Sequence, residues 1–439
     1  MTRPFGSLKE SIVLFLRLFY FFQYVKKGIF FQQFLICCGA MRQEGERRMK
    51  TIRTSKHFIS HCDTVSGAVS YLLKNEAAPF QQSFYFVNPS MTQDGRYYWF
   101  YCAFPPAGDA NYGRTLAVID FQEDEVRYFP ETQFLDASPF VDLDTGEVYW
   151  CNKYGLFKRG PRWDSRTECV AQLPPDLQNK GTVHRIATHL TRSADGTEFA
   201  FDAEIGNRSY LGSVCIKTGE FRIWKSFDYC YNHAQFHPAD PDLILFAQDY
   251  WNDKATGKQY GIQTDETGRR NRLWTIRRGE DPVLWKSEYA DGAATHEWWS
   301  ADGKSIYYVD GKYGAVRIDL ETGAFSDMHP GGIWHAHSSA DERYFAGDAQ
   351  ITEDGRWYRG CASRINFYNR DTGRQIDIVS ENPALYSPEN PCVYHMDPHP
   401  QFLAADNYIA FTTTVSGQVT VGISEVQDLV SLTQGEPET

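Results

Sequence analysis

Seven times along the 439-residue chain an Asp-centred turn is followed at once by an apolar run that reads as a β-strand. The marks fall at Asp94 (TQDGRYYWFYC), Asp144 (LDTGEVYWC), Asp195 (SADGTEFAF), Asp240 (PADPDLILF), Asp302 (SADGKSIYYV), Asp341 (SADERYFAG) and Asp406 (AADNYIAFT). Two further strand candidates follow each mark, as in Arg114–Asp120 then Val126–Phe129, Tyr210–Lys217 then Glu220–Lys225, and Tyr313–Leu320 then Ala324–Met328. With the segment before the mark, each repeat holds four short antiparallel strands, the unit of a β-propeller blade. The marks lie 39 to 65 residues apart, too irregular for a solenoid. The chain is therefore expected to be all-β, a seven-bladed β-propeller over residues 49–432. The segment Ala68–Lys74 precedes the first repeat and has no blade of its own. It is expected to pair into the last blade and close the ring, which removes the edges of an open array.

Length alone allows two or three ordinary domains or one large β domain. An aromatic content of 15% and the scarcity of helical patterns after Met49 favour the single β domain. The net charge of −12 argues against a nucleic-acid partner. It does not exclude an anionic sugar, because a local cationic or metal site outweighs distant surface charge within the short screening length. Among the ten cysteines, Cys102, Cys151 and Cys215 sit in apolar runs and read as buried thiols, and no CxxC pair suggests a zinc cluster. In residues 1–48 the apolar stretches Leu14–Val25 and Gly28–Cys38 are broken by Arg17, Lys26 and Lys27, so no stable membrane span is expected. Met49 reads as the natural start, with residues 1–48 an extension apart from the fold and 433–439 a polar tail. A cytoplasmic location follows, or export if residues 1–48 act as a signal.

Blade topology orients the side chains. If the segment before each mark is the innermost strand, the marks lie on the bottom face and the connections between second and third strands lie on top. The long insertions Ala103–Gly113, Asp249–Asn271 and Ala349–Ala362 and the connection Ser380–Tyr394 all fall on that top face, which reads as a binding face. Histidine recurs there in phase: His189, His233, His296, His335 and His399 each precede their mark by six or seven residues. Singly, each reads best as a hydrogen-bonded channel histidine. Jointly, imidazoles converging on one axis suit a divalent transition metal, with carboxylate or amide completing the shell. YHMDPHPQF adds His395 and Asp397 beside His399. His189 and His335, with the neighbouring His337, are candidates for substrate contact, although His337 is expected to point away. Arg208, at the end of a top-face loop in blade three, could hold a carboxylate bidentately.

The segments NHAQFHP (Asn232–Pro238), RLW (Arg272–Trp274), THEWW (Thr295–Trp299), His335 with GD downstream to Asp348, and DPHPQF (Asp397–Phe402) resemble the oligogalacturonate lyases. These are seven-bladed enzymes that degrade short pectin fragments. The resemblance extends from about Phe84 to Val426. It implies polysaccharide lyase activity by β-elimination on an oligogalacturonate, a divalent cofactor expected to be Mn2+, His233 as the group that takes the C5 proton, and Arg208 assisting. Of the metal ligands it implies, two fall on His296 and His399. The family's Gln-x-x-His-x-His run is not reproduced: Tyr394 stands at the glutamine and Asp397 at the other histidine. Either His395 or Asp397 completes the shell. A metal-dependent lyase or epimerase on another oligo-uronate, and a non-catalytic binding platform, are the competing readings.

Overall fold

Seven antiparallel blades follow one another along the chain, six of four strands and the last of five, and every expected mark is the turn between the first and second strand of its blade. The computed structural model describes residues 48–107, 113–135, 139–289, 292–352, 355 and 358–434. Residues 1–49 and 50–439 form two units, and the first lies almost wholly outside the described residues. The innermost strands are Phe80–Gln82, Phe140–Val141, Val183–Ile186, Tyr231–Phe236, Ala294–Trp299, His335–Ser338 and Gln401–Leu403.

The Ser-Ala-Asp-Gly turns repeat because one hydrogen-bond pattern closes them. In blade five the Ser300 hydroxyl donates to Asp302 (2.8 Å), Asp302 accepts from the Lys304 N–H (3.0 Å), and Ser300 Oγ accepts from the Ser305 N–H (3.0 Å). Ser193 and Ser339 close blades three and six in the same way. The residue after the Asp is left-handed, which suits Gly303 at φ 73°, and blade six makes Glu342 adopt φ 60° instead. Between the blades the strands bury aromatic and aliphatic faces, with Trp99, Trp150 and Phe199 in one cluster spanning blades one to three. A side chain such as Phe199, fully buried, contributes about 1.5–3 kcal/mol.

The ring closes as expected. Val69–Leu73 pairs with the third strand of blade seven, Thr420–Glu425, in the register Tyr71↔Ile423 and Leu72↔Gly422. Ser70 and Ser424 add a hydroxyl pair at 2.9 Å. Two features were not expected. Phe58–Cys62 adds a fifth strand outside the closing one, and Val426–Thr433 is a helix. Its Val426, Leu429 and Val430 pack onto blades six and seven, a helical spacing too short to stand out beside strands.

The long insertions Asp249–Asn271 and Ser380–Tyr394 connect strands as expected. Ala103–Gly113 and Ala349–Ala362 do so too, though residues 108–112, 353–354 and 356–357 lie outside the described residues. All eight described cysteines are free thiols, with Cys102 and Cys151 buried and Cys215 partly so. Among the described residues no helix is long and apolar enough to cross a membrane.

Candidate active site

The innermost strands of blades four and five are interrupted at the same place. Asn232 pairs with Ala247 but Gln235 with Leu245, and Thr295 pairs with Val309 but Trp298 with Tyr307, so each strand carries one extra residue. The bulges hold His233 (φ 60°) and His296 (φ 53°), and His399 (φ 44°) repeats the left-handed conformation just before the innermost strand of blade seven. A non-glycine residue held there costs about 1–3 kcal/mol, and bulges re-aim side chains, so backbone strain is concentrated where these imidazoles reach the axis. Buried carboxylates take up the freed N–H groups. Asp202 of blade three accepts from the Ala234 N–H (2.9 Å), and Asp348 of blade six from the His399 N–H (3.1 Å).

The five phased histidines surround Tyr85, which comes from blade one, where no histidine holds the phase. Its ring stacks on His189 at 4.6 Å and lies 4.8, 6.1 and 6.4 Å from the rings of His399, His335 and His233. Its hydroxyl bonds His296 Nδ1 at 2.9 Å. Burial, with the nearby Glu297 carboxylate, pushes the Tyr85 phenol well above its usual range, so it stays protonated.

Above Tyr85 opens a cavity of about 480 Å³, within the ~300–1,000 Å³ typical of small-ligand sites. His189, His233, His296, His395 and His399 line it, together with Arg114, Arg185, Arg270, Arg272 and Arg359. Five guanidiniums around one cavity in an acidic chain mark it for an anion.

On one side stands a buried charge network. His233 Nδ1 lies 2.8 Å from Glu297 Oε1 and 3.1 Å from Arg272 Nη2, while Arg272 Nε donates to Glu297 Oε2 at 3.0 Å and Nη1 reaches Asp249 at 3.3 Å. Glu297 and Arg272 ask opposite tautomers of Nδ1; the shorter, buried carboxylate contact would be repelled by a lone pair, so Nδ1 carries the proton and donates to Glu297, and the 3.1 Å Arg272 approach is not a hydrogen bond to it. The lone pair is then on Nε2. Burial would raise the Glu297 carboxyl, but Arg272 and then His233 outweigh it and hold it at about 2.

On the other side His335, His395, Asp397 and His399 bring donor atoms within 4.8 Å of one another. Asp348 accepts from the His335 backbone N–H (2.8 Å) and from Nδ1 (2.9 Å), which leaves His335 Nε2 as a lone pair. A carboxylate behind an imidazole in this way fixes the tautomer a metal requires. Asp397 Oδ2 does the same for His395 at Nε2 (2.8 Å), turning its other nitrogen free for binding. His296 lies against the group, its ring 4.1 Å from that of His335. The buried Nε2 atoms of His296, His335 and His399 have no hydrogen-bond partner among the described residues. Burial and the neighbouring imidazoles hold His296 and His399 well below the usual imidazole range, so both are neutral. Neutral, orphaned, converging nitrogens with one carboxylate fit a divalent cation.

Three expected site residues stand elsewhere. Arg208 is not at the cavity. A two-residue turn makes it the first residue of the third strand of blade three, opposite Ile205, and its exposed side chain pairs with Asp228 at 2.6 Å. His335 belongs to the donor group and is not among the cavity-lining residues. His337, two residues further along the same strand, shares its face but lies beyond Phe86, among Phe86, Trp298 and Phe402. Its Nδ1 accepts the Phe402 N–H (3.0 Å), and it is not among the cavity-lining residues. His189 keeps its place in the lining. Sequence reasoning gave no role to Tyr85, Glu297, Arg272 or Asp348, although Glu297 sits inside THEWW and Arg272 opens RLW.

No family model matches the chain. It is 24% identical over 232 residues to an oligogalacturonate lyase of Dickeya dadantii, a match covering 49% of this chain and 55% of that protein, little more than half its length. It is 24% identical over 343 residues to an oligogalacturonide lyase of Pectobacterium atrosepticum, covering 74% of this chain and 79% of that protein. Among solved structures, an oligogalacturonate lyase in complex with manganese superposes with a TM-score of 0.64 at 18% identity. An oligogalacturonate lyase from Vibrio parahaemolyticus does so with 0.61 at 16%. Both matches cover 84% of this chain and 96% of the other.

Proposed function

We infer that this chain, which groups with the oligogalacturonate lyases by sequence and fold, is a polysaccharide lyase that cleaves short galacturonate oligomers by β-elimination. The observation that carries the reading is the opposition, across one arginine-lined cavity, of an imidazole with its lone pair directed by Glu297 and a cluster of metal-competent histidines. The C5 proton of a uronate is weakly acidic, because its removal places a second charge beside the carboxylate. A divalent cation, Mn2+ in the related structure, would be held by His335, His395, His399 and Asp397 with His296 adjoining, and would supply Lewis-acid charge to offset that second charge.

The remaining work falls to this chain's own groups. His233 Nε2 takes the C5 proton, and Glu297 stabilises the imidazolium through Nδ1–H. Arg272 keeps Glu297 ionised and fixed, so the carboxylate orients the base without taking the proton itself. The C5–H electron pair becomes the C4–C5 double bond as C4–O4 breaks, the departing O4 takes a proton from water, and a 4,5-unsaturated sugar is left. Arg185, on the cavity wall, is better placed than Arg208 to hold a substrate carboxylate. We place this reaction in the cytoplasm, a reading that the free thiols support.

Incubation with di- and trigalacturonate, with and without added manganese, tests the reading through the ultraviolet absorbance of the unsaturated product. His233→Ala is expected to abolish that absorbance with metal content unchanged. Loss of metal from this variant would show that base and ligand have been confused.

A further inference from the structure

The blade-four insertion Asp249–Asn271 places Asp249, Tyr250 and Arg270 on the cavity wall. It is a built element with its own hairpin, Trp251–Asn252 against Gln259–Tyr260, packed on Tyr229 with ring separations of 5.2 and 6.2 Å. Asn207 of blade three donates to Asp253 and accepts from the Lys254 N–H, both at 2.9 Å. Gln263 donates its N–H to Gln248 (2.7 Å), and Arg269 grips the Ser287 and Glu288 carbonyls at 3.1 and 3.2 Å. Fastened at all four places, the insertion is a wall, not a lid.

Arg270 differs from the other arginines of blade four, of which Arg272 shares the cavity wall. Arg272 has Glu297 and Asp249, Arg277 has Asp240, and Arg278 has Glu198 and Asp242. Among the described residues the Arg270 guanidinium has neither an ion pair nor a hydrogen-bond partner, although it is half-buried and lines the cavity. Tyr250, on the same cavity wall, leaves 60% of its surface exposed. A half-buried guanidinium without a counter-charge calls for an anion from outside.

Its place in the ring says which anion. Blade four stands three blades from blade seven, the largest separation seven blades allow, and His395, Asp397 and His399 enter at blade seven. A uronate with its carboxylate at that group and its C5 toward His233 continues over blade four, against the insertion. We propose that Arg270, on the wall it shares with Tyr250, is a subsite for the carboxylate of the uronate adjoining the one that reacts. The insertion thereby makes an anionic neighbour part of substrate recognition. This rests on the lyase reading above.

The test compares digalacturonate with its analogue methyl-esterified on the non-reacting unit, for the wild-type chain and for Arg270→Ala and Arg270→Gln. The wild type is expected to show a KM ten- to hundredfold higher for the ester. Both variants should show that same rise for the acid, with kcat within twofold, and no further difference between acid and ester, as for a group that binds ground and transition state alike. Variants that still prefer the acid by the wild-type factor, or that leave KM for the acid unchanged, overturn the proposal. A wild-type chain that gives no unsaturated product from either substrate overturns the reaction itself, and that result is visible before any variant is made.

Discussion

Replacing Glu297 by glutamine changes one atom and tests how the base is prepared. Glu297 is 1% exposed, accepts from His233 Nδ1 at 2.8 Å and from Arg272 Nε at 3.0 Å. Breaking a buried ion pair by removing one charge costs about 3–5 kcal/mol, but Arg272 retains Asp249 at 3.3 Å, so the cost lies near the lower end, about 3 kcal/mol. The chain should still fold, with a lower Tm. For catalysis, a hydrogen bond to a charged partner contributes about 1.5–3 kcal/mol. The imidazolium exists only after the proton has begun to move, so this stabilisation belongs to the transition state and its loss lowers kcat about 10- to 150-fold. KM should change little, because Glu297 is walled off behind His233. The assay is initial-rate formation of the unsaturated product, with metal content and thermal unfolding measured in parallel. A folded Glu297→Gln variant that keeps kcat within twofold would refute the assignment of Glu297 as the group that orients the base.

The other predictions concern the metal group, Arg208 and acid stability. His335→Ala should lose the stoichiometric divalent ion by metal analysis and lower the Tm of the metal-loaded chain, whereas full retention of the ion would exclude His335 as a ligand. Arg208→Ala should leave kcat/KM within twofold, since its side chain is 46% exposed and paired with Asp228 on the rim, and a hundredfold loss would return it to the site. His329 is fully buried between Asn366 Oδ1 (2.9 Å) and the Pro330 carbonyl, and burial holds its imidazole down at about 4. The unfolded chain takes up a proton near pH 6.5 that the folded chain refuses until about pH 4. Stability from this group is therefore complete above pH 6.5 and declines as pH falls toward 4, by up to about 3 kcal/mol. Urea unfolding at pH 7.5, 5.5 and 4 should show that decline, and His329→Asn should make it shallower, since His296, His337 and His399 are lowered by burial as well.

The blade count, the turns and the ring closure were legible because they are local or periodic. The Ser-Ala-Asp-Gly turn carries its own hydrogen bonds, and an unmatched strand at one end of a cyclic array has one place to go. The fifth outer strand and the C-terminal helix were not, since each depends on packing against blades already formed. Arg208 stands outside the cavity lining and pairs with Asp228, because a loop position read from sequence does not say which way the first residue of a strand turns. His337 stands outside it for a related reason, since residues two apart on a strand share a face but not a depth.

The sequence by itself determined seven repeats, histidines at one phase of five of them, and hence imidazoles delivered to a common axis, because strand periodicity and turn chemistry are written residue by residue. Only the tertiary structure decided which partners each imidazole meets. That sorting depends on partners far apart in the chain: Glu297 reaches His233 from the next blade, Asp348 backs His335 and receives the His399 N–H, and Tyr85 fills the axis from blade one. A histidine's role is set by what holds its other nitrogen, and only the closed ring brings those groups together.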